Sequence, residues 1–263
     1  MARAKRHYVP GQIWHITHRC HKREFLLKFS KDRRRWLQWL YEAKKRYGLE
    51  ILNYTVTSNH IHLLVVGDHE RDKIPNSIKL IAGRTGQEFN QRKSRRGAFW
   101  EDRYHATAVE SGQHLIKCLV YIDLNMVRSG VVNHPSDWPF CGYNEIQEPK
   151  RKNVLINYEK LTVLLGFNTY DDVKRYHKYW VETFLEDGKN IRDDKWTKSI
   201  AVGNKSFVEE IKSVMGAMAT GRKSTEAGES YQLREPATAY TGLLGAKKSH
   251  IGPENTYLWT DIL

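Results

Sequence analysis

The sequence of 263 residues lacks long apolar runs and contains few cysteines. No segment approaches the roughly 18–20 consecutive apolar residues of a membrane-spanning helix, and the opening stretch MARAKRHYVPGQ lacks the apolar core of a signal peptide. The three cysteines, Cys20, Cys118 and Cys141, show no paired spacing. We therefore expect a reduced cytoplasmic protein without a disulfide framework or a cysteine-based zinc site.

Two common catalytic motifs are missing as well. The sequence contains neither a glycine-rich phosphate-binding loop nor the helical His-Glu-x-x-His pair of many zinc hydrolases. It also has no internal repeat and no low-complexity tract. A zinc-dependent hydrolase is therefore disfavoured.

Acidic residues are scarce in the first half of the chain. Residues 1–130 hold 25 lysines and arginines against 12 aspartates and glutamates, whereas residues 131–263 hold 18 of each class. The whole net charge of +13 therefore lies in the first half. A basic surface attracts polyanions by releasing their counterions, so nucleic acid is the first partner to expect and an anionic membrane surface the second.

The spacing of apolar residues predicts seven secondary-structure elements in the first half. They run strand, helix, strand, strand, helix, strand, helix, over residues 11–20, 30–48, 49–66 (two strands), 76–97, 98–111 and 112–130. This order is typical of α+β domains, ferredoxin-like or RRM-like, with a split βαβ antiparallel sheet and helices on one face. We assign residues 1–148 to this domain and residues 149–263 to a mostly helical carboxy-terminal extension.

Two histidines interrupt an otherwise apolar strand, NYTVTSNHIHLLVV, at residues 53–66. Because strand side chains alternate, His60 and His62 share a face, which we expect to be the open one. Same-face residues two apart lie roughly 7 Å from each other, so both rings can reach one divalent cation if a third ligand comes from elsewhere. The alternative is a pair of half-buried sheet histidines that bond to their neighbours.

The last predicted helix offers a third ligand and a nucleophile on its polar side. Tyr121 and Asn125 are one turn apart and face away from the apolar stripe of that helix. A phenol can attack a phosphodiester whose phosphate a cation polarises, and a carboxamide oxygen suits Mg²⁺ or Mn²⁺. The alternative for Tyr121 is a rim tyrosine with its hydroxyl in water.

These stretches resemble a known protein family. NHIHLLV looks like the HUH motif (His, hydrophobic residue, His), and YIDLNMVRSGVV is similar to the tyrosine helix of the single-strand HUH transposases. PGQIWHITHRC and FWEDRYHATAVES resemble the first and fourth strands of the REP-associated tyrosine transposase branch. The resemblance covers about residues 3–145, with the four motifs in order.

The resemblance implies an enzyme that cleaves and rejoins single-stranded DNA near a structured hairpin, with a divalent metal and a 5′-phosphotyrosine intermediate. It implies that Tyr121 is the nucleophile and that His60, His62 and Asn125 hold the metal. Many relatives carry Gln at the position of Asn125. Asp123 stands where a histidine is usual, and we expect it to pair with Arg103 or His105.

Basic residues around these motifs are the candidates for DNA contact. We expect Lys117 and Arg128 to favour the ionised form of Tyr121. An exposed ring among Phe99, Trp100 and Tyr104 could stack on an unpaired base, but for Trp100 we favour the alternative of a core strand residue. The full set of DNA-binding candidates is Lys5, Arg6, Arg19, Lys22, Arg23, Arg92, Lys93, Arg95, Arg96, Arg103, Lys117 and Arg128.

A different function class is also compatible with the fold. A non-catalytic nucleic-acid binder on an RRM-like sheet would need aromatic residues on the sheet for base stacking, and here the strand carries His60 and His62 instead. We expect a monomer associated with the nucleoid in the cytoplasm, with a homodimer as the alternative. The sequence leaves open whether Tyr121 acts with the histidines of its own chain.

Overall fold

The computed structural model describes residues 9–68, 70–188 and 192–234. The described strands are Ile13–Arg19 (β1), Glu50–Val56 (β2), His60–Val66 (β3), His105–Val109 (β4), Ala201–Gly203 (β5), Lys223–Ala227 (β6) and Ser230–Arg234 (β7). The described helices are Ser30–Tyr47 (α1), Lys73–Arg92 (α2), Gln113–Asp123 (α3), Asn125–Arg128 (α4), Gly142–Gln147 (α5), Tyr158–Leu164 (α6), Tyr170–Glu186 (α7), Lys195–Lys198 (α8) and Lys205–Met215 (α9).

The first seven predicted elements are all present, and the predicted α+β class is confirmed. They form β1-α1-β2-β3-α2-β4-α3, and the sheet order is β2-β3-β1-β4-β5-β7-β6. Every neighbouring pair is antiparallel except β4 and β5. In the part of the chain that the structure describes, no helix has the length and apolar character needed to cross a membrane.

The carboxy-terminal extension enlarges this sheet as well as adding helices. Strands β5, β6 and β7 continue the sheet from β4, although the sequence predicted a mostly helical extension beyond residue 149. Strand β5 has three residues and β6 is largely exposed, so neither produces a clear alternating pattern. The extension therefore contributes strands to the same sheet that carries the histidines.

Helix α3 lies across the histidine-bearing face of the sheet, and polar side chains of β2 fix it there. Asn53 donates to the Leu119 carbonyl at 3.4 Å, and the Thr55 hydroxyl donates to the Ile122 carbonyl at 3.0 Å. The helix predicted over residues 112–130 is divided at Leu124 into α3 and α4. The face that we expected to be open is therefore covered by the tyrosine helix.

Asp123 connects α3 to the extension. Its carboxylate accepts from Asn53 Nδ2 at 3.0 Å and contacts His177 Nε2 of α7 at 2.8 Å, and both ionisable side chains are fully buried. The expected pairing of Asp123 with Arg103 or His105 is wrong, because the carboxylate points away from the polar side of α3. The histidine that contacts Asp123 is His177 of α7.

Removing the Asp123 carboxylate should destabilise the whole protein. Asp123→Ala leaves the buried polar hydrogens of Asn53 and His177 without an acceptor, so we expect the free energy of unfolding to fall by about 2–5 kcal/mol. Asp171→Ala, which removes an exposed carboxylate paired with Lys174 on α7, is the matched control and should leave stability unchanged. Urea unfolding measures both, and equal stability of the two variants would contradict this role.

Candidate active site

The register of the two central strands places the histidine pair beside β1. His62 lies opposite Thr17 and His60 opposite Arg19 in the antiparallel β1–β3 ladder. The two imidazole centroids are 5.0 Å apart, with the rings nearly perpendicular. His62 is 2 % exposed and His60 is partly exposed, so the pair lies at the inner end of a cavity.

A third histidine, His15 on β1, determines the orientation of His62. The Trp196 carbonyl can only accept, and it lies 2.9 Å from His15 Nδ1, so His15 carries its proton there. His15 Nε2 is then an acceptor, 2.8 Å from His62 Nδ1, so His62 donates to it. His62 Nε2 is left with its lone pair, and it accepts from Asn125 Nδ2 at 2.9 Å.

His60 is oriented by the turn between β2 and β3. Its Nδ1 lies 2.7 Å from Asn59 Oδ1, an acceptor, and 2.9 Å from the Thr57 hydroxyl. The ring therefore carries its proton on Nδ1, and Nε2 keeps its lone pair. Both His60 and His62 thus have an unprotonated Nε2, which is the form that a metal ion binds.

Burial keeps the three imidazoles neutral. Loss of hydration lowers the pKa of His15 to about 3 and that of His60 to about 4, and it lowers the pKa of His62 well below its usual range. The neighbouring histidines and Arg128 lower the pKa of His62 further. At neutral pH the three imidazoles are therefore uncharged, although arginines line the same cavity.

Tyr121 packs directly against the histidines. Its ring meets the rings of His62 and His15 edge-on, at centroid distances of 5.8 and 6.1 Å, and lies 6.1 Å from Trp196. The Arg128 guanidinium stacks over it at 4.1 Å from the ring centroid. Burial raises the pKa of Tyr121, while Arg128 and Arg192 act in the opposite direction. The phenol is therefore uncharged at neutral pH.

The four predicted site residues line one cavity of about 510 Å³. Its wall is basic on balance, because four arginines and two acidic residues surround the His60, His62, Tyr121 and Asn125 group. The cavity is lined by Thr17, His18, Arg19, His60, His62, Glu101, Asp102, Arg103, His105, Tyr121, Asn125, Arg128, Ser129, Arg192 and Thr197.

The donor set of this cavity fits a divalent cation. Two neutral imidazole nitrogens and one carboxamide are within the ligand preferences of Mn²⁺ and Mg²⁺, and rotating the Asn125 amide exchanges its nitrogen for an oxygen donor. Within the described residues, no three His, Cys, Asp or Glu side chains are arranged around a possible metal position. A metal here would therefore depend on Asn125 in addition to His60 and His62.

The predicted DNA-binding residues fall into separate groups. Arg19, Arg103 and Arg128 line the cavity, whereas Lys117 is paired with Glu229 at 2.6 Å and is absent from its wall. The expected effect of Lys117 on Tyr121 is therefore wrong. Lys5 and Arg6 lie outside the described residues. The other candidates, on the surface beside the loops after β1 and α2, are Lys22, Arg23, Arg92, Lys93, Arg95 and Arg96.

Ion pairs already engage part of that outer group. Arg92 bonds to the buried Asp32, and Arg95 lies 3.5 Å from Glu24. Lys22, Arg23, Lys93 and Arg96 remain exposed. Arg92 therefore joins α2 to α1, and Arg95 joins the loop after α2 to the loop after β1. The exposed cations beside them form the accessible basic surface.

The aromatic stretch before β4 does not provide an exposed stacking surface. Phe99 and Tyr104 are buried, at 4 and 8 % exposure. Trp100 stacks on His18 with centroids 4.1 Å apart and donates its indole N–H to the Ala82 carbonyl at 3.0 Å. None of these rings is therefore an exposed stacking surface, and Trp100 is packed between His18 and α2, in line with the core position that we favoured for it.

Sequence reasoning missed three residues of the site, His15, Arg192 and Trp196. The alternation of β1 places His15 on the same face as Thr17 and Arg19, which was a usable signal. Arg192 and Trp196 belong to the extension, and no local pattern connects them to a cavity formed by residues far earlier in the chain.

The buried neutral histidines should make the fold sensitive to acid. The unfolded chain binds a proton at His15 below about pH 6.5, whereas the folded chain binds it only near pH 3. The free energy of unfolding therefore has its full value above pH 6.5 and decreases as the pH falls below it. Each histidine whose pKa is lowered in this way reduces the free energy of unfolding by up to about 1.4 kcal/mol for each pH unit of acidification.

His15→Gln removes one of these groups. We expect the variant to lose stability less steeply than wild type between pH 7 and pH 5, as measured by urea unfolding at each pH. Equal slopes for the two proteins would show that protonation of His15 is not linked to folding.

Part of the chain matches a known protein family. Residues 8–125 match the sequence profile of the family described as "Transposase IS200 like". This match includes β1 to β4 and extends through α3 to Asn125. It therefore contains all four predicted site residues.

Two solved structures are similar to parts of the chain. One is a REP-associated tyrosine transposase bound to a REP hairpin, with 22 % identity and a TM-score of 0.46 over 55 % of this chain and 84 % of that one. The other is a putative transposase from Deinococcus radiodurans, with 18 % identity and a TM-score of 0.33 over 44 % of this chain and 92 % of that one.

No curated protein sequence matches the chain. The family match spans the strands that carry the histidines and the helix that carries the tyrosine. It also agrees with the resemblance of the HUH and tyrosine-helix motifs. Residues 8–125, a little under half of the chain, therefore match the IS200-like transposase family.

Proposed function

We propose that this protein is a metal-dependent single-stranded DNA endonuclease and strand transferase with Tyr121 as its nucleophile. One observation carries the proposal. Tyr121, Asn125 and the unprotonated Nε2 atoms of His60 and His62 belong to a single basic cavity. A phenol, a metal-ligand set and a cluster of cations are the groups that transesterification of a phosphodiester requires.

The chemistry follows from the groups of the chain. Tyr121 Oη attacks the scissile phosphorus and gives up its proton, the bond from phosphorus to the 3′ oxygen breaks, and that oxygen takes up a proton to become a free 3′-OH. The product is a 5′-phosphotyrosine. Attack by a 3′-OH on this ester reverses the step, so strand joining conserves the energy of the phosphodiester bond and needs no ATP.

Arginines of the cavity support this reaction. Arg128 stacks on the Tyr121 ring, and both Arg128 and Arg192 favour the phenolate by their charge. Arg19 and Arg103, at the same wall, can hold the phosphates on either side of the scissile bond. A bound Mg²⁺ or Mn²⁺, held by His60, His62 and Asn125, would supply Lewis-acid stabilisation of the phosphate charge.

The substrate that we propose is single-stranded DNA beside a REP-like hairpin, as the resemblance of the four motifs implies. A DNA substrate of this kind would associate the protein with the nucleoid in the cytoplasm. Because the Tyr121 ring lies 5.8 Å from the His62 ring of the same chain, one protomer holds both the nucleophile and the metal ligands. This geometry supports a monomer in which Tyr121 acts in cis.

The nucleophile can be identified by a covalent adduct. With a labelled library of single-stranded hairpins and Mn²⁺ or Mg²⁺, wild type should give a protein–DNA adduct that survives denaturation. Tyr121→Phe should give none, and His60→Ala should reduce the adduct to background because one metal ligand is lost. Tyr179→Phe, an exposed tyrosine on α7, is the control and should match wild type.

Two results would contradict the proposal. One is an adduct that persists in Tyr121→Phe. The other is tight binding by wild type with no adduct in either metal across the library, which would indicate the non-catalytic binder.

Arg192 should contribute to DNA binding from the extension. Arg192→Ala removes a cation from the cavity wall, so we expect weaker binding of single-stranded DNA and a smaller salt dependence, with the log–log slope reduced by about 0.7. Arg175→Ala, on the exposed surface of α7, is the matched control and should keep the wild-type slope. Fluorescence anisotropy over a salt series measures both. An unchanged slope for Arg192→Ala would place Arg192 outside the DNA path.

A further inference from the structure

The carboxy-terminal extension reaches the back of the histidine pair through two of its backbone carbonyls. The Trp196 carbonyl accepts from His15 Nδ1 at 2.9 Å and from the Thr107 hydroxyl at 3.2 Å. The Ser199 carbonyl lies 2.6 Å from the Thr107 hydroxyl and 2.9 Å from His105 Nε2. Polar side chains of β1 and β4 thus bond to one carbonyl of α8 and to one of the residue that follows it.

We infer that His15 is a positioning residue, held by the Trp196 carbonyl, which keeps His62 in the tautomer that a metal ion can bind. The inference rests on the proposed function and adds to it a role for the extension. His15 and His62 lie within the family match, whereas Trp196 lies beyond its end at residue 125.

The direction of the hydrogen bonds determines the tautomer of His62. A backbone carbonyl has no proton to give, so it fixes the proton of His15 on Nδ1. Without that carbonyl, His15 could carry its proton on Nε2 and donate to His62 Nδ1. His62 would then hold its own proton on Nε2, where it would face Asn125 and occupy the position of a metal ion. The buried Trp196 carbonyl therefore determines the tautomer of His62, although it does not contact the His62 ring.

Burial makes this selection effective. His15 and Thr107 are fully buried and His62 is 2 % exposed, so water cannot replace a missing partner in the chain of bonds. The rings of His15 and His62 are also stacked, with centroids 5.0 Å apart and planes inclined by 12°. The two rings therefore have a fixed relative orientation, and the hydrogen bond between them has a fixed direction. Partners of this kind behind a ligating histidine typically change metal affinity by about 10–100-fold when they are removed.

Two substitutions of His15 separate positioning from packing. The oxygen of His15→Gln reaches about as far as Nε2 of the original ring and can still accept from His62. The shorter His15→Asn carboxamide reaches only as far as Nδ1, so it can bond to the Trp196 carbonyl but not to His62. Both variants retain a polar side chain at this site, and thermal melting of each confirms that it is folded.

The first readout is Mn²⁺ affinity of the full chain, measured by titration calorimetry without DNA. We expect His15→Asn to bind Mn²⁺ about 10–100-fold more weakly than wild type and His15→Gln to bind it nearly as well as wild type. Folded His15→Asn with wild-type affinity would overturn the inference. So would equal losses in the two variants, since that result would indicate packing alone.

The second readout is nitrogen NMR of the imidazole side chains in metal-free protein. We expect His62 to be protonated on Nδ1 in wild type and in His15→Gln, and to populate both tautomers in His15→Asn. A wild-type His62 protonated on Nε2 would overturn the inference. Because this experiment uses neither metal nor DNA, it can fail while the Tyr121 adduct still forms, so it is separable from the proposed function.

Discussion

The antiparallel register of β1 and β3 is the constraint on which the site depends. Side chains alternate along a strand, so a shift of one residue would move His60 and His62 to the other face of the sheet. The observed register places them opposite Arg19 and Thr17, on the face that α3 crosses. Tyr121 and Asn125 then reach the histidines from α3 and α4, and the cavity between them is bounded by strands on one side and a helix on the other. The catalytic geometry that we propose therefore depends on strand pairing, which the core of the domain stabilises.

Burial determines the charge states of the groups in this site. Dehydration lowers the pKa values of His15 and His60 and raises the pKa of Tyr121, so each group is uncharged at rest. Positive charge is supplied by arginines, which remain protonated even when partly buried. The site thus combines neutral imidazoles and a neutral phenol with a wall that carries four arginines. The extension takes part in this arrangement, because Arg192 lines the cavity and the Trp196 carbonyl completes the hydrogen-bond chain of His15.

Local patterns in the sequence predicted the order of the first seven elements and the four central residues of the cavity. Period-two alternation identified the shared face of His60 and His62, and helical spacing put Tyr121 and Asn125 together. What the sequence could not provide were contacts between distant segments. Asp123 meets His177 of α7 and Lys117 meets Glu229, and neither partner can be read from local spacing. The three-residue strand β5 is too short for a pattern, so the continuation of the sheet into the extension was also missed.

The central claim is that one metal ion binds beside Tyr121, between ligands from β3 and α4. Anomalous diffraction at the manganese edge from crystals of the full chain soaked in Mn²⁺ tests it most directly. The account predicts one strong peak in the cavity, within bonding distance of His60 Nε2, His62 Nε2 and the Asn125 side chain. A peak at another site, or a cavity without manganese at a saturating concentration, would contradict it.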